Sequence, residues 1–528
     1  MPSPLTSPAQ PSRTDRALRW TAAAICGCAM WLGVPDTDLW WLGFVGWIPW
    51  FWAIDGQSPR RAFFYGLGAG IVAVFVGFYW MTELLVRFGG MPLAPSLGVH
   101  FLFASWQGSQ WAFSALIIAW LAKRRARVSL LWSAPLAWTA VEALLPNIFP
   151  TYLPLLWCWQ PLWIQHAELG GVTTVSFTML AINAAFYVLL REWFTHRRWS
   201  KPAAVAAAAW CLGVPLYGAI RIAQVDAIAE ESRQIKIGVV QGNFGIRTYG
   251  RRRLKPKLLA DLQHISTQLE SQGAQLLLWG ETAYPYAEFW RDSTEDLPLT
   301  HPRRVRRGFT VPLIAGVVTH DRSHENPYPW NSAWVFHSDG SLGDRYDKNY
   351  PLMFGESVPL VDPKWYLKVM PHASYLNPGD GPVVLGVEGL RFGALICYED
   401  ILPRFARATA NEGIHAFVNL TNDSWFGKTR EQGEHLGLGI FRAIEQRRAV
   451  VRSVNAGASA YVDPVGRVIH RTEVTDADAD GWQGAEGFLA KVPMIDPAYR
   501  TLYARTGELF NGLCIAALIL LGLRRRRS

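Results

Sequence analysis

Phe392-Gly-Ala-Leu-Ile-Cys397-Tyr-Glu-Asp400 carries an apolar strand straight into a thiol and two carboxylates. A short apolar run ending on polar residues fits a buried strand of a sheet covered by other layers. Cys397 is the only cysteine in a long, polar, strand-rich stretch, so it is not read as half of a disulfide, and an unpaired thiol in an oxidising compartment needs a reason. Taken alone it is more often a small buried hydrophobe than a nucleophile. Two further strand ends change the reading. Leu276-Leu-Leu-Trp-Gly-Glu281 ends on a carboxylate, and Lys348 follows an apolar run within Tyr346-Asp-Lys-Asn-Tyr350. Separately these are an ordinary carboxylate and a solvated cation; together they read as base, cation and nucleophile.

Outward from Cys397, short apolar runs alternate with Gly, Pro, Asn and Asp. Strands are expected at Ile235 to Gln241, Gln275 to Trp279, Val311 to Val318, Ser332 to His337, Pro382 to Val387, Phe392 to Ile396, Ala416 to Leu420, Val450 to Val454 and Ser459 to Val462. Amphipathic helices are expected at Leu254 to Gln272, Leu402 to Glu412 and His435 to Arg448, with Asp400 as an N-cap before Ile401 to Arg407. This mixture favours a layered α/β domain, and the three chemical residues sit at or just past strand ends, where such sheets place ligands.

The flanks are of another kind. The 528 residues are 50% hydrophobic and include 26 Trp, too apolar for an ordinary soluble enzyme of this length. Runs near the roughly 20 residues of a membrane span cover Leu18 to Val34, Leu39 to Ile54, Ala62 to Met81, Leu97 to Ala122, Val128 to Leu145, Gly170 to Leu190 and Ala203 to Ile222, and an eighth, Leu509 to Leu523, closes the sequence. Basic residues collect beside alternate ends: Arg13, Arg16 and Arg19; Arg60 and Arg61; Lys123 to Arg127; Arg191 to Lys201; Arg524 to Arg527. The intervening loops hold a single one, Arg87. By the positive-inside bias both ends are cytoplasmic and the α/β domain is extracytoplasmic. The net charge of +9 therefore reflects topology and does not point to nucleic acid. The expected organisation is a tail over 1–16, seven transmembrane helices over 17–223, the catalytic domain over 224–507, and a final span with a basic tail over 508–528. No Cys/His cluster with metal spacing is present in the sequence, and no cofactor is expected.

Glu281 in Trp-Gly-Glu-Thr, Lys348 in Tyr-Asp-Lys-Asn-Tyr-Pro-Leu-Met-Phe-Gly-Glu356, and Cys397 in Ile-Cys-Tyr-Glu-Asp resemble the Glu-Lys-Cys triad of the nitrilase superfamily of carbon-nitrogen hydrolases. Phe354-Gly-Glu356, Asn422-Asp-Ser-Trp425-Phe-Gly427, Arg442-Ala-Ile-Glu445 and Arg452-Ser-Val-Asn455, with the order of the spans, are similar to the apolipoprotein N-acyltransferase family. One departure is that the family often has a tryptophan shortly after Gln241-Gly-Asn243, where this chain has Phe244, Tyr249 and a basic stretch.

The resemblance implies a polytopic α-helical membrane domain plus an extracytoplasmic nitrilase-like αββα sandwich, in a bacterial inner membrane with the catalytic domain in the periplasm. It implies acyl transfer from a phospholipid donor to the terminal amine of a diacylglyceryl-modified apolipoprotein, through a thioester on Cys397. Glu356, Tyr398, Glu399 and Trp425 are expected to shape the pocket, orient the triad or touch lipid; each could equally be packing around it. The apolar stretch Tyr350 to Pro378 reads as a lid on the outer leaflet, or as a loop packed on its own domain.

The chemistry sets a demand. A Glu near 4.3 and a Cys near 8.5 are mismatched by roughly 5 to 6 kcal/mol for moving the proton. Burial would raise Glu281 and the Lys348 ammonium would lower the thiol. Two other functions fit parts of the sequence: a membrane-tethered amidase or nitrilase whose thioester is resolved by water, and a transporter or scaffold with a spent catalytic domain. Eight spans exceed the needs of an anchor, and an intact triad with few ionisable residues in the spans, Glu83 and His100 near their ends, disfavours the second.

Overall fold

The computed structural model describes residues 12–87, 89–123, 128–245, 250–322, 327–358, 361–369, 374–476, 478–479, 481–482 and 484–523. Most of the N-terminal tail, Arg124, Arg125, Arg127, Arg524 to Arg527, Tyr249, Leu360 and Met370 lie outside the described residues, as do the side chains of Tyr366 and Val369.

Six of the eight apolar runs become single long helices: Arg13–Gly33, Leu93–Lys123, Leu130–Leu144, Val172–His196, Lys201–Glu231 and Leu509–Leu523. The run Ala62 to Met81 is a helix over Pro59–Gly77 and then restarts at Trp80–Arg87. Pro59–Gly77, Val172–His196 and Lys201–Glu231 are long and apolar enough to cross a membrane. Ser12, Ser58 and Ser129 start three helices, each accepting a hydrogen bond from a first-turn N–H. Pro59–Gly77 lies so close to Leu93–Lys123 that a Cβ on Gly70 would meet the Gly108 carbonyl oxygen at 2.2 Å, the close backbone approach that small residues permit between membrane helices.

The run Leu39 to Ile54 departs from its expected single helix. It folds as two short helices, Leu42–Val45 and Ile48–Ile54, broken at Gly46 and Trp47 beside Pro49. Asn183, buried in Val172–His196, compensates: its Oδ1 accepts from the Trp47 N–H at 3.1 Å and its Nδ2 donates to the Gly43 carbonyl at 2.7 Å. A break in an apolar setting persists only where freed backbone groups find such partners.

After Glu231 the chain becomes a two-sheet sandwich. The first sheet contains β1 (Arg233–Gln241), β2 (Leu276–Trp279), β3 (Phe289–Trp290), β4 (Leu313–His320), β5 (Trp330–Phe336) and β6 (Leu342–Asp347), in the order β13-β1-β2-β4-β5-β6 with β3 beside β4. The second runs β12-β11-β10-β9-β8-β7, built from β7 (Val384–Val387), β8 (Leu390–Ile396), β9 (Ala416–Thr421), β10 (Val450–Val454), β11 (Ala460–Val462) and β12 (Val468–Arg471), while β13 is Glu486–Met494. The central pairs β1-β2, β2-β4, β8-β9 and β9-β10 are parallel.

Alternation along the strands sets the layers. Ile237, Val239, Leu276 and Leu278 share a core with Phe392, Ala394 and Ile396 of the other sheet. Val240, Leu277 and Trp279 point the opposite way, onto Leu258, Leu262 and Leu269 of helix Lys255–Ser271. Helices Pro403–Asn411 and Glu431–Gln446 cover the second sheet through Phe405, Ile440 and Ile444. The result is the expected αββα sandwich.

The sequence reading overlooked β3, β6, β12 and β13. Strand β6 is half polar, and β13 carries Glu486, Lys491 and Pro493, so hydrophobic periodicity does not mark them. Strand β13 nevertheless pairs with β1 over nine residues. Asp400 is also not the N-cap expected of it. Helix Pro403–Asn411 starts after Leu402 with no side-chain cap, and Asp400 is drawn inward by Arg452 and His435.

Candidate active site

The two sheets converge at the ends of three strands. Glu281 lies just past β2 and Lys348 follows β6 directly, both on the first sheet, while Cys397 follows β8 on the second. Cys397 has φ of 54°, a left-handed conformation unusual for a residue with a side chain, as the chain turns from β8 into the 3-10 helix Cys397–Ile401. The turn leaves Cys397 and Tyr398 half-buried between the buried Ile396 and Glu399.

Lys348 is buried with its ammonium between two carboxylates, donating to Glu281 Oε1 at 3.1 Å and to Glu356 Oε2 at 2.7 Å. Glu281 Oε1 also accepts from Asn331 Nδ2 at 2.6 Å, and Glu356 Oε2 from the Leu352 N–H at 2.8 Å. Burial pushes Glu281 above the usual carboxylate range, opposed by Lys348 and helped by Glu356. Burial opposes the Lys348 charge, but Glu281 and Glu356 together carry its pKa well above that of a free lysine.

The thiol departs from expectation. Burial raises the Cys397 pKa, Glu281 raises it further, and Lys348 lowers it by less than these add, with Asp423 and Glu356 also raising it. The nearby ammonium acts in the expected direction and is outweighed. One lysine faces two glutamates, so a thiolate here enters a site whose charges already sum to a negative value, which favours the neutral thiol.

Glu399 is fully buried and accepts four hydrogen bonds. Its Oε1 takes the N–H groups of Asn349 and Tyr350 at 2.6 and 3.0 Å; its Oε2 takes the Ile396 N–H and the Tyr346 hydroxyl, each at 2.7 Å. One carboxylate thus ties the backbone after Lys348 to the backbone before Cys397. Burial pushes its pKa up to about 7. Tyr398 turns outward, donating to the Ile148 carbonyl at 3.0 Å with its ring against Phe149. Trp425 packs beside Phe78, Trp80 and Phe103, three residues of the helical region. The loop containing Ile148 and Phe149 is therefore one wall of the site.

A cavity with about 50 Å³ of free volume opens beside Cys397, walled by Tyr398, Leu352, Phe78, Trp80, Phe149 and Phe426 among others. That is room for a water or two.

Sequence reasoning missed the charge network behind Cys397. His435 places Nε2 2.9 Å from Asp400 and Nδ1 3.2 Å from Asp423, and Arg452 donates to the same two carboxylates at 2.7 and 2.9 Å. Burial and Arg452 oppose a charge on His435, yet Asp400 and Asp423 carry its pKa up to about 10. Two cations thus balance two carboxylates. Asp423, Glu431 and His435 bring ligand atoms within 4.8 Å of one another, and Arg452 holds the cationic position beside Asp423 and His435. Asp423 and Arg452 stood in the motifs quoted from the sequence; His435, at the start of an otherwise apolar helix face, gave no signal.

A thiol, a carboxylate and an ammonium at strand ends of an αββα sandwich define the carbon-nitrogen hydrolase class, and residues 236–480 match the carbon-nitrogen hydrolase family model. Residues 26–185 match the model for the N-terminal domain of apolipoprotein N-acyltransferase. Among proteins it resembles, the apolipoprotein N-acyltransferase of Geobacter metallireducens is 26% identical over 96% of this chain and 95% of its own. That of Bdellovibrio bacteriovorus is 28% identical over 81% and 80%, and that of Bradyrhizobium diazoefficiens 31% over 69% and 66%. The chain belongs to the apolipoprotein N-acyltransferase family, and with it to the membrane-associated acyltransferases.

Proposed function

We propose that this protein moves a fatty acyl chain from a membrane phospholipid to the α-amine of the diacylglyceryl-cysteine of an apolipoprotein, with Cys397 as nucleophile, Glu281 as base and Lys348 as the cation that stabilises the oxyanion. Cys397 Sγ attacks the ester carbonyl while Glu281 takes the thiol proton. The tetrahedral oxyanion faces the Lys348 ammonium. Collapse expels the lysophospholipid alkoxide, which takes the proton from Glu281, and leaves a thioester. The acceptor amine then attacks the thioester, Glu281 accepts its proton, and the sulfur leaves and regains that proton as the amide forms.

The raised thiol supports the role of Glu281, because a nucleophile protonated at rest needs a base within the site. Glu356 holds Lys348 from the other side, Glu399 orients both strand ends, and Tyr398 and Trp425 face the lipid approach. Seven spans, the periplasmic catalytic domain and the final span follow from the charge bias, in a bacterial inner membrane.

The observation that carries the reading is the cavity wall. Phe78, Trp80 and Phe149 of the helical region close over Cys397, so a donor enters from the membrane side, which a soluble amide would not require. A space of about 50 Å³ is too small for an acyl chain, so Leu352 and the adjoining lid segment must move to admit one. Met353, Phe354 and Trp365 on that segment are 42%, 55% and 57% exposed, which suits contact with lipid.

Incubating purified protein with phospholipid alone and measuring intact mass tests this. An acyl adduct on Cys397 is expected, absent in Cys397→Ala, with transfer lost in both Cys397→Ala and Cys397→Ser. Full activity in either variant refutes the assignment.

A further inference from the structure

Two cavities lined by residues other than those around Cys397 join into one feature. The first, about 490 Å³, is a groove among helices Val172–His196, Lys201–Glu231 and Leu509–Leu523, lined by Phe177, Trp210, Val214, Phe510 and Leu513. The second, about 480 Å³, sits where those helices meet the catalytic domain and is lined by Glu168, Arg221, Tyr499, Arg500 and Arg505. Leu169, Tyr217 and Leu502 line both, so the polar chamber opens into the apolar one. Neither shares a lining residue with the cavity at Cys397.

The chamber carries surplus positive charge. Its one carboxylate, Glu168, is already matched by Arg221 at 2.5 and 3.0 Å and also by Arg447 at 2.8 Å. Arg221 gives a further hydrogen bond to the Tyr499 hydroxyl at 2.9 Å. Arg500 is exposed and spends one N–H on the Asn411 carbonyl at 3.1 Å. Arg505 is exposed, and its guanidinium has no partner among the described residues. Arg500 and Arg505 shortly precede helix Leu509–Leu523, and Arg221 lies inside Lys201–Glu231; the proposed topology puts this junction on the extracytoplasmic face, where the charge bias disfavours basic residues, so topology does not account for them. A guanidinium cluster matches a phosphate, and an apolar groove directly beneath it matches a chain attached to that phosphate.

We infer that this composite cavity binds one phospholipid as a non-exchanging structural ligand, its phosphate on Arg500 and Arg505 beside the Arg221 pair and one acyl chain in the groove, at a site separate from the catalytic one. The inference rests on the membrane orientation proposed above and is independent of the chemistry at Cys397. The bound lipid splints the junction between the last helix and the catalytic domain.

The test uses the full-length protein in phosphatidylcholine nanodiscs doped with phosphatidylglycerol, released into the gas phase so that retained lipids are counted by native mass spectrometry. Denaturation before a parallel measurement distinguishes non-covalent lipid from acyl adduct. One retained phospholipid is expected, with retention falling about tenfold in Arg505→Ala and further in Arg500→Ala/Arg505→Ala, since a hydrogen bond to a charged group is worth at least that factor. Gly213→Trp keeps every arginine and fills the groove. A Cβ at Gly213 meets nothing within 4 Å, so the side chain starts into open space, and the variant, with folding checked by its thermal unfolding, is expected to lose the lipid as well. Retention unchanged in both kinds of variant, or abolished instead by Leu352→Trp at the catalytic cavity, overturns the inference, as does the absence of any retained lipid.

Discussion

At the scale of single residues, the site is governed by how few cations serve how many carboxylates. Lys348 is shared by Glu281 and Glu356, and Cys397 lies within the field of all three. The signs lead to a titration experiment on small-molecule alkylation of Cys397. Its apparent pKa is expected above that of a free thiol, to fall in Glu281→Gln, which removes a raising charge, and to climb in Lys348→Met, which removes the lowering one. Transfer is expected to drop by roughly 10²- to 10⁴-fold in Glu281→Gln despite the more acidic thiol, because the proposed proton acceptor is gone. A thiol pKa unmoved by both substitutions contradicts the geometry. Lys348→Arg is expected to lose about 100-fold or more in turnover, because a planar fork does not fit a slot with oxygens at 3.1 and 2.7 Å. Near-normal turnover in that variant counts against close contact with the reacting carbonyl.

At the scale of elements, strand ends are held in register by groups that need not touch substrate. Glu399 ties β6 and its continuation to β8 with four accepted hydrogen bonds, three of them from backbone N–H groups. Replacing it by glutamine turns an amide NH₂ toward two of those donors. Glu399→Gln is expected to cost about 2 kcal/mol or more of stability, the penalty for buried unsatisfied donors, and to lower turnover because Lys348 and Cys397 lose their common anchor. Thermal unfolding in detergent measures the first, single-turnover acylation the second; a melting temperature equal to the parent's removes Glu399 from this role. The same logic explains Asp400. Its sequence position suggested a helix cap, but a buried Arg452 with two carboxylate partners offers it a stronger hydrogen bond than exposed backbone N–H groups would.

At the scale of the molecule, the helical region and the sandwich are joined by buried polar contacts as well as by apolar packing. Glu445 of the catalytic domain accepts from the Val172 N–H at 2.7 Å, capping a long apolar helix, and from Arg442 at 3.0 Å. Arg87, the last residue of helix Trp80–Arg87, pairs with Asp476 through both guanidinium nitrogens, at 2.7 and 2.9 Å. Trp80 Nε1 donates to Glu434 at 3.1 Å. Glu445→Ala leaves Arg442 buried without its carboxylate and frees a helix N-terminus, so it is expected to destabilise the protein by about 3 to 5 kcal/mol. Chemical unfolding followed by tryptophan fluorescence checks this, and a loss under 1 kcal/mol contradicts it. A rigid junction suits the proposed reaction, in which Cys397 must meet a lipid at a constant depth.

The apolar runs, the one-sided basic loops and the strands ending at Glu281 and Cys397 were legible in the sequence because periodicity and charge bias are local properties of consecutive residues. The break at Gly46 and Trp47 was not, since the residue that stabilises it, Asn183, lies 136 positions away. Nor was β13, a polar strand defined by pairing with β1, or His435, whose two carboxylate partners come from the separate segments that follow β8 and β9. Consecutive residues alone marked which segments seek lipid, which seek a sheet, and which three side chains stand at converging strand ends. That burial and carboxylates raise the Cys397 thiol, that Asp400 faces inward and that the helical region walls Cys397 was settled only in the folded chain, because burial and charge balance arise among groups brought together by folding.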